Sequence, residues 1–493
     1  MSSTQAGRGA TPGSGTVPSG VEVNGINVIA EAERKGRPRD LFWPWFASNI
    51  SILGISYGAF VLGFAVSFWQ ALVAGVVGVV FSFVLCGFIA LAGRRGSAPT
   101  LVLSRAVFGV RGGRVPAVLS WLLTVGWETV LVILATLGTA TVFDRLGWGG
   151  GTATKIVAMI VVSAITVAAG VAGFDVVMRL QAVITVVTGV LTVVYMLLVA
   201  DHVHWHAVSA LPSGSAQHVV GSLVFVMTGF GLGWVNAAAD YSRYQPRSAS
   251  PGGVFGWTTF GAALAPVVLL IFGLLLAGSS QDLSTAISSD PIGALTTILP
   301  TWFLVPFAIV AVLGLIGGAV LDIYSSGLAL LTAGLRIPRY TAAMVDGVIM
   351  VIGTIWIVFF SSDFIANFQA FLITLGVPVA AWCGLFLTDI LMRKRDYDEA
   401  ALFEPSGRYG DIRWESLGVM ALGTLLGWGL VVTTAPKASW LNWQGYLLGL
   451  LHLGGKSGSW AYANLGVLLA LVIGVVGGFV IASIKVPEQE LAR

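Results

Sequence analysis

Residues 45–60 read WFASNISILGISYGAF, an apolar stretch interrupted by the polar side chains Ser48, Asn49 and Ser51 and by two glycines. Backbone groups that leave a helix at membrane depth are tolerated only inside protein or around a cavity. The stretch therefore predicts an interrupted transmembrane helix whose break lies beside a cavity.

A second stretch, residues 227–244, reads MTGFGLGWVNAAADYSRY and places Gly229, Gly231 and Gly233 within five residues. Glycine costs about 1 kcal/mol in a helix interior relative to alanine, so this spacing favours an unwound segment. The two stretches occupy corresponding positions, helices one and six, in two successive five-helix halves. Such paired interruptions are typical of a transporter binding site near the bilayer midplane. The alternative is that the glycines serve only tight helix packing.

The whole chain has the composition of a membrane protein. Its 493 residues are 56% hydrophobic and 10% charged, with a mean hydropathy of +0.89, whereas a soluble domain carries about 25% charged residues. Apolar runs of about 20 residues mark transmembrane helices. We therefore expect an all-α membrane protein with twelve transmembrane helices, at residues 43–65, 68–92, 114–142, 153–173, 176–199, 218–240, 255–278, 302–333, 340–360, 364–392, 415–435 and 463–484.

The distribution of lysine and arginine favours this topology. With a cytoplasmic N-terminus, 22 of the 26 Lys and Arg residues fall in cytoplasmic segments, which is a strong positive-inside bias. An odd number of spans would remove the bias. We expect a multi-pass protein of the cell membrane, inner or plasma, with both termini in the cytoplasm. The four residues left outside are Arg145, Lys155, Lys437 and Lys456.

The chain divides into three parts by composition. Residues 1–28 are rich in Gly, Ser and Thr and lack the apolar core of a signal peptide, which predicts a disordered cytoplasmic tail. Residues 29–392 form the predicted ten-helix transport core, and residues 393–493 carry two further helices and a tail. The segments 100–110 and 288–299 are too short to span and are predicted to form loop or interfacial helices.

Two acids lie in the middle of predicted spans. Asp322 stands in residues 313–330, LGLIGGAVLDIYSSGLAL, and Glu128 follows Trp127 in LLTVGWETVLVILA. A charge at the bilayer centre costs about 2.5–3.5 kcal/mol and usually faces a cavity or a partner. Adjacent helical residues point about 100° apart, so Trp127 and Glu128 cannot both face one cavity. Either acid could instead be structural, bonded to a neighbouring helix.

Aromatic residues near the interruptions are candidates for a ligand site. Trp127, Phe230 and Trp234 offer flat faces on which a heteroaromatic ligand can stack, an interaction worth about 1–3 kcal/mol per base in nucleic-acid complexes. A single membrane tryptophan is more often a packing residue or an interface anchor. The chain has 17 tryptophans, so these three are hypotheses.

The remaining chemistry-bearing residues favour no enzyme and no resident cofactor or metal. Cys86 and Cys383 fall in apolar runs without a metal or redox spacing. His202, His204 and His206 alternate and could bind zinc if extended, but an exposed outer loop is the simpler interpretation. No Gly-x-x-x-x-Gly-Lys-Ser/Thr motif supports ATP-driven transport, and no nucleophile–base motif indicates catalysis.

Four motifs resemble the nucleobase:cation symporter 1 family, which includes cytosine, purine, allantoin and hydantoin permeases. They are VEVNGINVIAEAERKGRPRDLFWPWFASNISILG (21–54), SRAVFGVRGG (104–113), ADYSRYQP (239–246) and DIYSSGLAL (322–330). The resemblance covers about residues 22–485. It implies a five-plus-five inverted-repeat bundle with two trailing helices, which works as a monomer and transports a planar heterocycle by alternating access driven by Na⁺ or H⁺.

The resemblance also assigns substrate-binding residues. Trp127 matches the stacking tryptophan of span three. Phe230, preceded by Gly229, matches the aromatic of span six, and Trp234 is the alternative one turn later. In span one, Ser51 falls where a polar side chain reaches the substrate, and the polar Asn49 is a second candidate.

Asp322 falls where the family often has an asparagine. Asparagine both donates and accepts hydrogen bonds, an ionised aspartate only accepts, and a protonated aspartate does both. We therefore expect Asp322 to recognise adjacent N–H groups of a base. Leu131 departs from the Gln or Asn that relatives carry one turn after Trp127, and Glu128 is expected to replace that contact.

The coupling ion follows from a second departure. In sodium-coupled members the ion is held by span-one carbonyls, which match Ala47 and Ile50, and by oxygens of span eight. The span-eight positions match Leu313, Ile316 and Gly317, whose side chains supply no oxygen. We therefore favour proton coupling, with one of the two mid-membrane acids, Asp322 or Glu128, as the titrating group.

The sequence thus predicts a proton-coupled importer of a nucleobase, such as cytosine or a purine, or of a related heterocycle. Its expected partners are this small substrate and the lipid bilayer, and nothing indicates a nucleic-acid polymer. Alternatives are a Na⁺-coupled hydantoin- or allantoin-type permease, an uncoupled facilitator or receptor, and an amino-acid transporter of the same fold.

Overall fold

The computed structural model describes residue 22 and residues 24–360, 364–433 and 439–491. Most of the predicted tail, residues 1–21 and 23, lies outside the described residues. Every regular element in the described part is helical. The first ten α-helices are α1 (Phe42–Asn49), α2 (Leu53–Leu62), α3 (Phe68–Gly96), α4 (Thr100–Leu103), α5 (Arg105–Phe108), α6 (Arg114–Arg145), α7 (Thr152–Ala172), α8 (Phe174–Leu198), α9 (Trp205–Ser209) and α10 (Ala216–Gly229).

The second half of the chain follows the same pattern of long helices with short helices between them. Its α-helices are α11 (Gly231–Trp234), α12 (Ala238–Ser242), α13 (Pro251–Ser279), α14 (Gln281–Ser289), α15 (Leu304–Thr332), α16 (Arg339–Phe360), α17 (Phe364–Met392), α18 (Trp414–Trp428), α19 (Tyr446–Leu450) and α20 (Leu465–Leu491).

The long helices confirm the expected all-α membrane fold. In the described part, ten helices are long and apolar enough to cross a membrane, and the bent pair α1–α2 makes eleven spans when counted as one. The predicted span 415–435 corresponds to α18, whose 15 residues are fewer than the about 20 that cross a bilayer core. Twelve spans and the inverted repeat remain predictions. Segments 100–110 and 288–299 contain only short helices, as expected.

The first span is broken where the sequence predicts. The segment Pro38–Asn49 meets Leu53–Leu62 at an angle of 62°. Ile50 leaves the helical region with φ −85° and ψ 73°, and the Ser51 hydroxyl accepts a hydrogen bond from the Leu53 amide at 3.3 Å. The polar residues of the stretch therefore satisfy backbone groups that the break sets free.

The sixth span is interrupted at Phe230, between α10 and α11, where φ is −117° and ψ is −105°. Residues of α3 bind the backbone freed there. The Ser82 hydroxyl accepts a hydrogen bond from the Gly231 amide at 3.1 Å, and the Cys86 thiol donates to the Gly231 carbonyl at 3.2 Å. The unwound segment is therefore satisfied inside the protein, as a membrane-embedded break requires.

Glycines of α15 allow it to pack directly on the break of span one. A Cβ on Gly314 would lie 2.8 Å from the Ile50 carbonyl oxygen, and one on Gly317 would lie 2.7 Å from the Ala47 carbonyl oxygen. Real Cβ atoms do not approach oxygen so closely. The small residues of span eight thus bring Asp322, on the same helix, next to the break.

Candidate functional site

A small cavity of about 50 Å³ lies where the breaks of spans one and six meet α6 and α15. Three larger grooves, of about 680, 520 and 700 Å³, lie elsewhere, and none of them reaches either break. The small cavity is therefore the candidate binding site. Its walls are formed by Ser48, Asn49, Ser51, Leu53, Gly54, Tyr57, Trp127, Leu131, Gly229, Phe230, Trp234 and Asp322.

Asp322 extends from α15 into this cavity. Only 1% of its surface is exposed, and neither carboxylate oxygen has a hydrogen-bond partner among the described residues. Burying a polar group without a partner is costly, and a charge costs more. Intramembrane acids that bear such a cost usually serve a substrate, an ion or a proton. This arrangement makes Asp322 the polar group that a ligand in the cavity would meet.

The three candidate aromatics all line the cavity, and each packs against another ring. The Trp127 ring meets Phe368 edge-on, with centroids 5.3 Å apart. Phe230 lies 4.4 Å from the ring of Tyr57, and Trp234 makes an edge contact with Trp45 at 5.8 Å. Such aromatic pairs fix ring orientation. Both Phe230 and Trp234 reach the cavity, so the two assignments for span six need not exclude each other.

The polar residues of span one make hydrogen bonds within their own segment. Asn49 donates both amide hydrogens locally, to the Trp45 carbonyl at 2.8 Å and to the Ser48 hydroxyl at 3.0 Å. Ser48 in turn donates to the Trp45 carbonyl at 3.2 Å. Asn49 and Ser51 nevertheless line the cavity. They can offer oxygen acceptors to a ligand while their other bonds stabilise the break.

Tyr57 is a cavity residue that the sequence analysis missed. Its hydroxyl donates to the Gly229 carbonyl at 3.3 Å, and a Cβ on Gly229 would lie 2.7 Å from Cε1 of the Tyr57 ring. Gly229 is therefore needed for the ring to pack between the two breaks. The sequence offered no signal for Tyr57 beyond its position in the interrupted stretch 45–60.

Glu128 lies outside the cavity, although it follows Trp127 directly. It is completely buried, its oxygens have no hydrogen-bond partner among the described residues, and it interacts electrostatically with Asp346 and Asp322. Asp346 of α16 accepts hydrogen bonds from Trp121 and Ser326. Sequence reasoning missed Asp346, although an acid inside the predicted span 340–360 was visible.

The two carbonyls proposed for cation coupling, those of Ala47 and Ile50, face the glycines of α15. Here the Gln181 side chain of α8 donates from Nε2 to the Gly317 carbonyl at 2.7 Å. Gln181 is completely buried, and its Oε1 has no hydrogen-bond partner in the described part of the chain. The α15 positions matched to sodium ligands, Leu313, Ile316 and Gly317, carry no side-chain oxygen.

The loop histidines do not form an extended strand. His202 ends a 3₁₀ turn, His204 precedes α9 and His206 lies within it. Within the described ranges, no group of three His, Cys, Asp or Glu residues is placed to hold a metal ion.

The ADYSRY motif leads into a buried polar cluster around Glu22. The hydroxyls of Tyr244 and Tyr324 donate to Glu22, and Arg243 and Arg339 each lie 3.5 Å from its carboxylate. Burial raises the pKa of the Tyr244 phenol to about 12. A carboxylate shared by two guanidinium groups and two phenols is well satisfied. The cluster therefore holds the described end of the predicted tail against spans six, eight and nine.

These features define a polytopic membrane transporter with a central cavity between two broken helices. A sequence profile described as "Permease for cytosine/purines, uracil, thiamine, allantoin" matches residues 28–449. The chain belongs to this permease family, which is a family of transporters and not of enzymes. The resemblance seen in the sequence motifs is thereby confirmed.

One relative is similar to this chain in sequence, and two solved structures are similar to it in fold. The chain is 24% identical over 415 residues to YxlA of Bacillus subtilis (strain 168), a protein named as a purine-cytosine permease, covering 82% of this chain and 87% of that relative. Mhp1, a nucleobase-cation-symport-1 family transporter solved closed with bromovinylhydantoin bound, superposes with a TM-score of 0.67 at 18% identity, covering 96% and 95% of the two chains. A Na⁺-coupled sialic acid symporter gives 0.63 at 11% identity, covering 94% and 92%.

Proposed function

We propose that this protein is a secondary active transporter that imports a nucleobase or a related planar heterocycle together with a proton. The observation that carries the proposal is Asp322, a buried acid with no hydrogen-bond partner among the described residues. It lies in a cavity that Trp127, Phe230 and Trp234 also line. The names of the relatives, a purine-cytosine permease and a transporter with a bound hydantoin, support this class of substrate.

Recognition combines stacking with hydrogen bonding. Every heterocyclic base has a flat face, and stacking on an aromatic side chain tolerates different bases. Asp322 adds selectivity because its carboxylate accepts hydrogen bonds from adjacent N–H groups on the edge of a base. An amino acid would instead need donors for its own carboxylate. None of the described residues that line the cavity is Lys or Arg, so a substrate carboxylate there would meet Asp322 and no cationic group. This favours a neutral heterocycle over an amino acid.

Proton coupling is favoured by the donor set beside the break of span one. Sodium needs oxygen ligands to replace its water, and hard cations in proteins take carbonyl, carboxylate and hydroxyl oxygens. The matched positions of α15 offer no such side chain, and the Gly317 carbonyl already accepts a bond from Gln181. The sodium-coupled alternative would have to recruit Gln181 Oε1, the buried oxygen next to these carbonyls.

Transport by alternating access requires the cavity to widen. Pockets for small ligands have volumes of about 300–1,000 Å³, whereas this cavity has about 50 Å³. In the proposed cycle the halves of spans one and six move about their breaks to admit the heterocycle and then release it. We place both termini in the cytoplasm and the protein, as a monomer, in the cell membrane.

Uptake into proteoliposomes tests the proposal. Labelled cytosine, adenine, guanine, hypoxanthine, uracil and allantoin are offered separately, first under an imposed pH gradient and then under a sodium gradient. Accumulation of one of them under the pH gradient alone is expected. Accumulation under the sodium gradient alone would refute proton coupling, and equilibration without accumulation would favour an uncoupled facilitator. Competition by amino acids and not by bases would refute the substrate class.

A further inference from the structure

Asp346 is an intramembrane acid that substrate binding does not use. It is completely buried in α16, and both of its oxygens accept hydrogen bonds. Trp121 of α6 donates from Nε1 to Oδ1 at 2.7 Å, and Ser326 of α15 donates to Oδ2 at 2.9 Å. Asp346 therefore lies where three helices meet, away from the residues that line the cavity.

Helical geometry connects this acid to the cavity. Ser326 follows Asp322 by four residues on α15, which places both on one helical face. Glu128 follows Trp121 by seven residues on α6, again on one face. The Ser326 hydroxyl, which donates to Asp346, also lies beside Glu128. Along α15, Ser326 lies one turn beyond Asp322 toward the end of that helix at Thr332.

Asp346 lies toward the side of the helix bundle that carries most of the Lys and Arg residues. Asp346 lies seven residues after Arg339, the first residue of α16, which is about 10 Å along the helix axis. The end of α15 and the start of α6 meet at the same side, since Arg114 lies close to Gly334. By the distribution of Lys and Arg, this is the predicted cytoplasmic side.

The three buried acids Asp322, Glu128 and Asp346 have acidic surroundings. Glu128 on α6 lies within electrostatic range of Asp322 on α15 and Asp346 on α16. In the part of the chain that the structure describes, no Lys or Arg forms an ion pair with any of the three acids. Acids buried in a membrane without a cationic partner are costly, and they commonly mark proton pathways.

We propose that Ser326 and Asp346 form the cytoplasmic branch of a proton relay that takes the coupling proton from Glu128. The proposal rests on the proton coupling proposed above. In the transfer step, the O–H bond of protonated Glu128 breaks as its proton binds Ser326 Oγ. The original O–H bond of Ser326 breaks at the same time, and its proton binds Oδ2 of Asp346. Ser326 thus gains one proton and loses one, and the net change is one proton moved from Glu128 to Asp346.

The hydrogen bonds of Ser326 and Asp346 suit the second transfer, from the serine hydroxyl to the carboxylate. Ser326 already donates toward Asp346, and the Ile323 carbonyl, 3.2 Å from Ser326 Oγ, offers the hydroxyl proton a second acceptor. The Trp121 N–H holds the Asp346 carboxylate in place and cannot itself accept a proton. Asp346 is thus the proton acceptor, and Trp121 is a positioning residue.

Two variants test the relay in proteoliposomes. Asp346→Asn cannot accept the proton, and Ser326→Ala cannot pass it on. With one proton per solute, a gradient of two pH units supports about 100-fold accumulation at equilibrium. We expect Asp346→Asn to reduce this to about one-fold, while exchange of labelled for unlabelled solute, which moves no net proton, continues at the wild-type rate. Ser326→Ala should slow pH-driven uptake, and Ser326→Thr, which keeps the hydroxyl, should restore it.

Ser325→Ala is the matched control. Ser325 is the adjacent serine of α15, and its hydroxyl bonds to Tyr241 at 3.0 Å and not to an acid of the relay. This variant should retain pH-driven accumulation. Wild-type accumulation in both Asp346→Asn and Ser326→Ala would overturn the relay and leave the proposed function intact. Failure of the wild type to accumulate solute under a pH gradient would overturn the proposed function and the relay with it.

Discussion

Replacement of Trp127 by alanine tests the stacking assignment most directly. The indole lies on the cavity wall with 8% of its surface exposed, and the rings of Phe368 and Phe371 are nearly perpendicular to it. Phe230, on the other interrupted span, also lines the cavity and remains in the variant. The substitution therefore removes one stacking surface and leaves a second in place.

The expected loss of affinity follows from one stacking interaction. Stacking of a base on an aromatic side chain contributes about 1–3 kcal/mol, and each 1.4 kcal/mol changes Kd about tenfold. Trp127→Ala should therefore raise Kd by about 5- to 150-fold. Trp127→Phe keeps an aromatic face and should lose less. The substitution also leaves a void. Replacing a buried tryptophan by alanine lowers the free energy of unfolding by about 3–5 kcal/mol. Folding therefore has to be measured beside binding.

Ligand binding to detergent-purified protein, with the thermal midpoint recorded in the same sample, measures both effects. Trp382→Ala is the control, since Trp382 is a similarly buried tryptophan of α17 that does not line the cavity. It should lower the thermal midpoint and leave Kd unchanged. A folded Trp127→Ala protein with the Kd of the wild type would refute the stacking assignment.

Three further predictions concern other parts of the molecule. Asp322→Asn should still bind the heterocycle, because the amide keeps a hydrogen-bond acceptor. The variant should lose pH-driven accumulation in proteoliposomes. Full accumulation would show that Asp322 does not carry the proton. Gly229→Ala places a Cβ against the ring of Tyr57, and overpacking of this kind costs about 1–3 kcal/mol. The thermal midpoint and the uptake rate should therefore both fall. Unchanged values would contradict the packing of Tyr57 against Gly229. Arg111 hydrogen-bonds Asp411 at the surface and lowers the pKa of the Asp411 carboxyl group. The folded-state pKa is therefore below the unfolded value of about 3.9. The pair thus stabilises the fold above about pH 3.9, and this stabilisation is lost as the pH falls through the folded-state pKa. The difference in thermal midpoint between wild type and Asp411→Asn should therefore be present at pH 6 and vanish on acidification, and a difference that grows on acidification would contradict this sign.

The membrane architecture could be predicted from the sequence because its determinants are local. Lipid requires about 20 consecutive apolar residues for each span, and the segments predicted at 68–92 and 364–392 correspond to α3 and α17. The breaks were predictable for the same reason, since polar residues and clustered glycines weaken a helix wherever it packs. The predicted span 415–435 agrees less well, because its apolar run continues after α18 has ended at Trp428.

Only part of the candidate site could be predicted from the sequence. Asp322 was visible because an acid in an apolar run is rare and costly. Which of Trp127 and Glu128 faces the cavity was not visible, since periodicity gives the angle between neighbours and not the direction of either. Tyr57, Gln181 and Asp346 were missed because their roles come from contacts with Gly229, Gly317 and Ser326 on other helices.

The sequence by itself determined that this chain spans a membrane, where two of its helices break, and which permease family it resembles. Hydropathy, glycine content and motifs are properties of neighbouring residues, so no packing is needed to detect them. Only the tertiary structure decided that the two breaks share one cavity, that Asp322 faces it without a hydrogen-bond partner in the described part of the chain, and that Glu128 lies outside it. Those facts depend on how α6, α15 and α16 rotate against one another. Contacts between different helices fix that rotation, such as those of Asp346 with Trp121 and with Ser326.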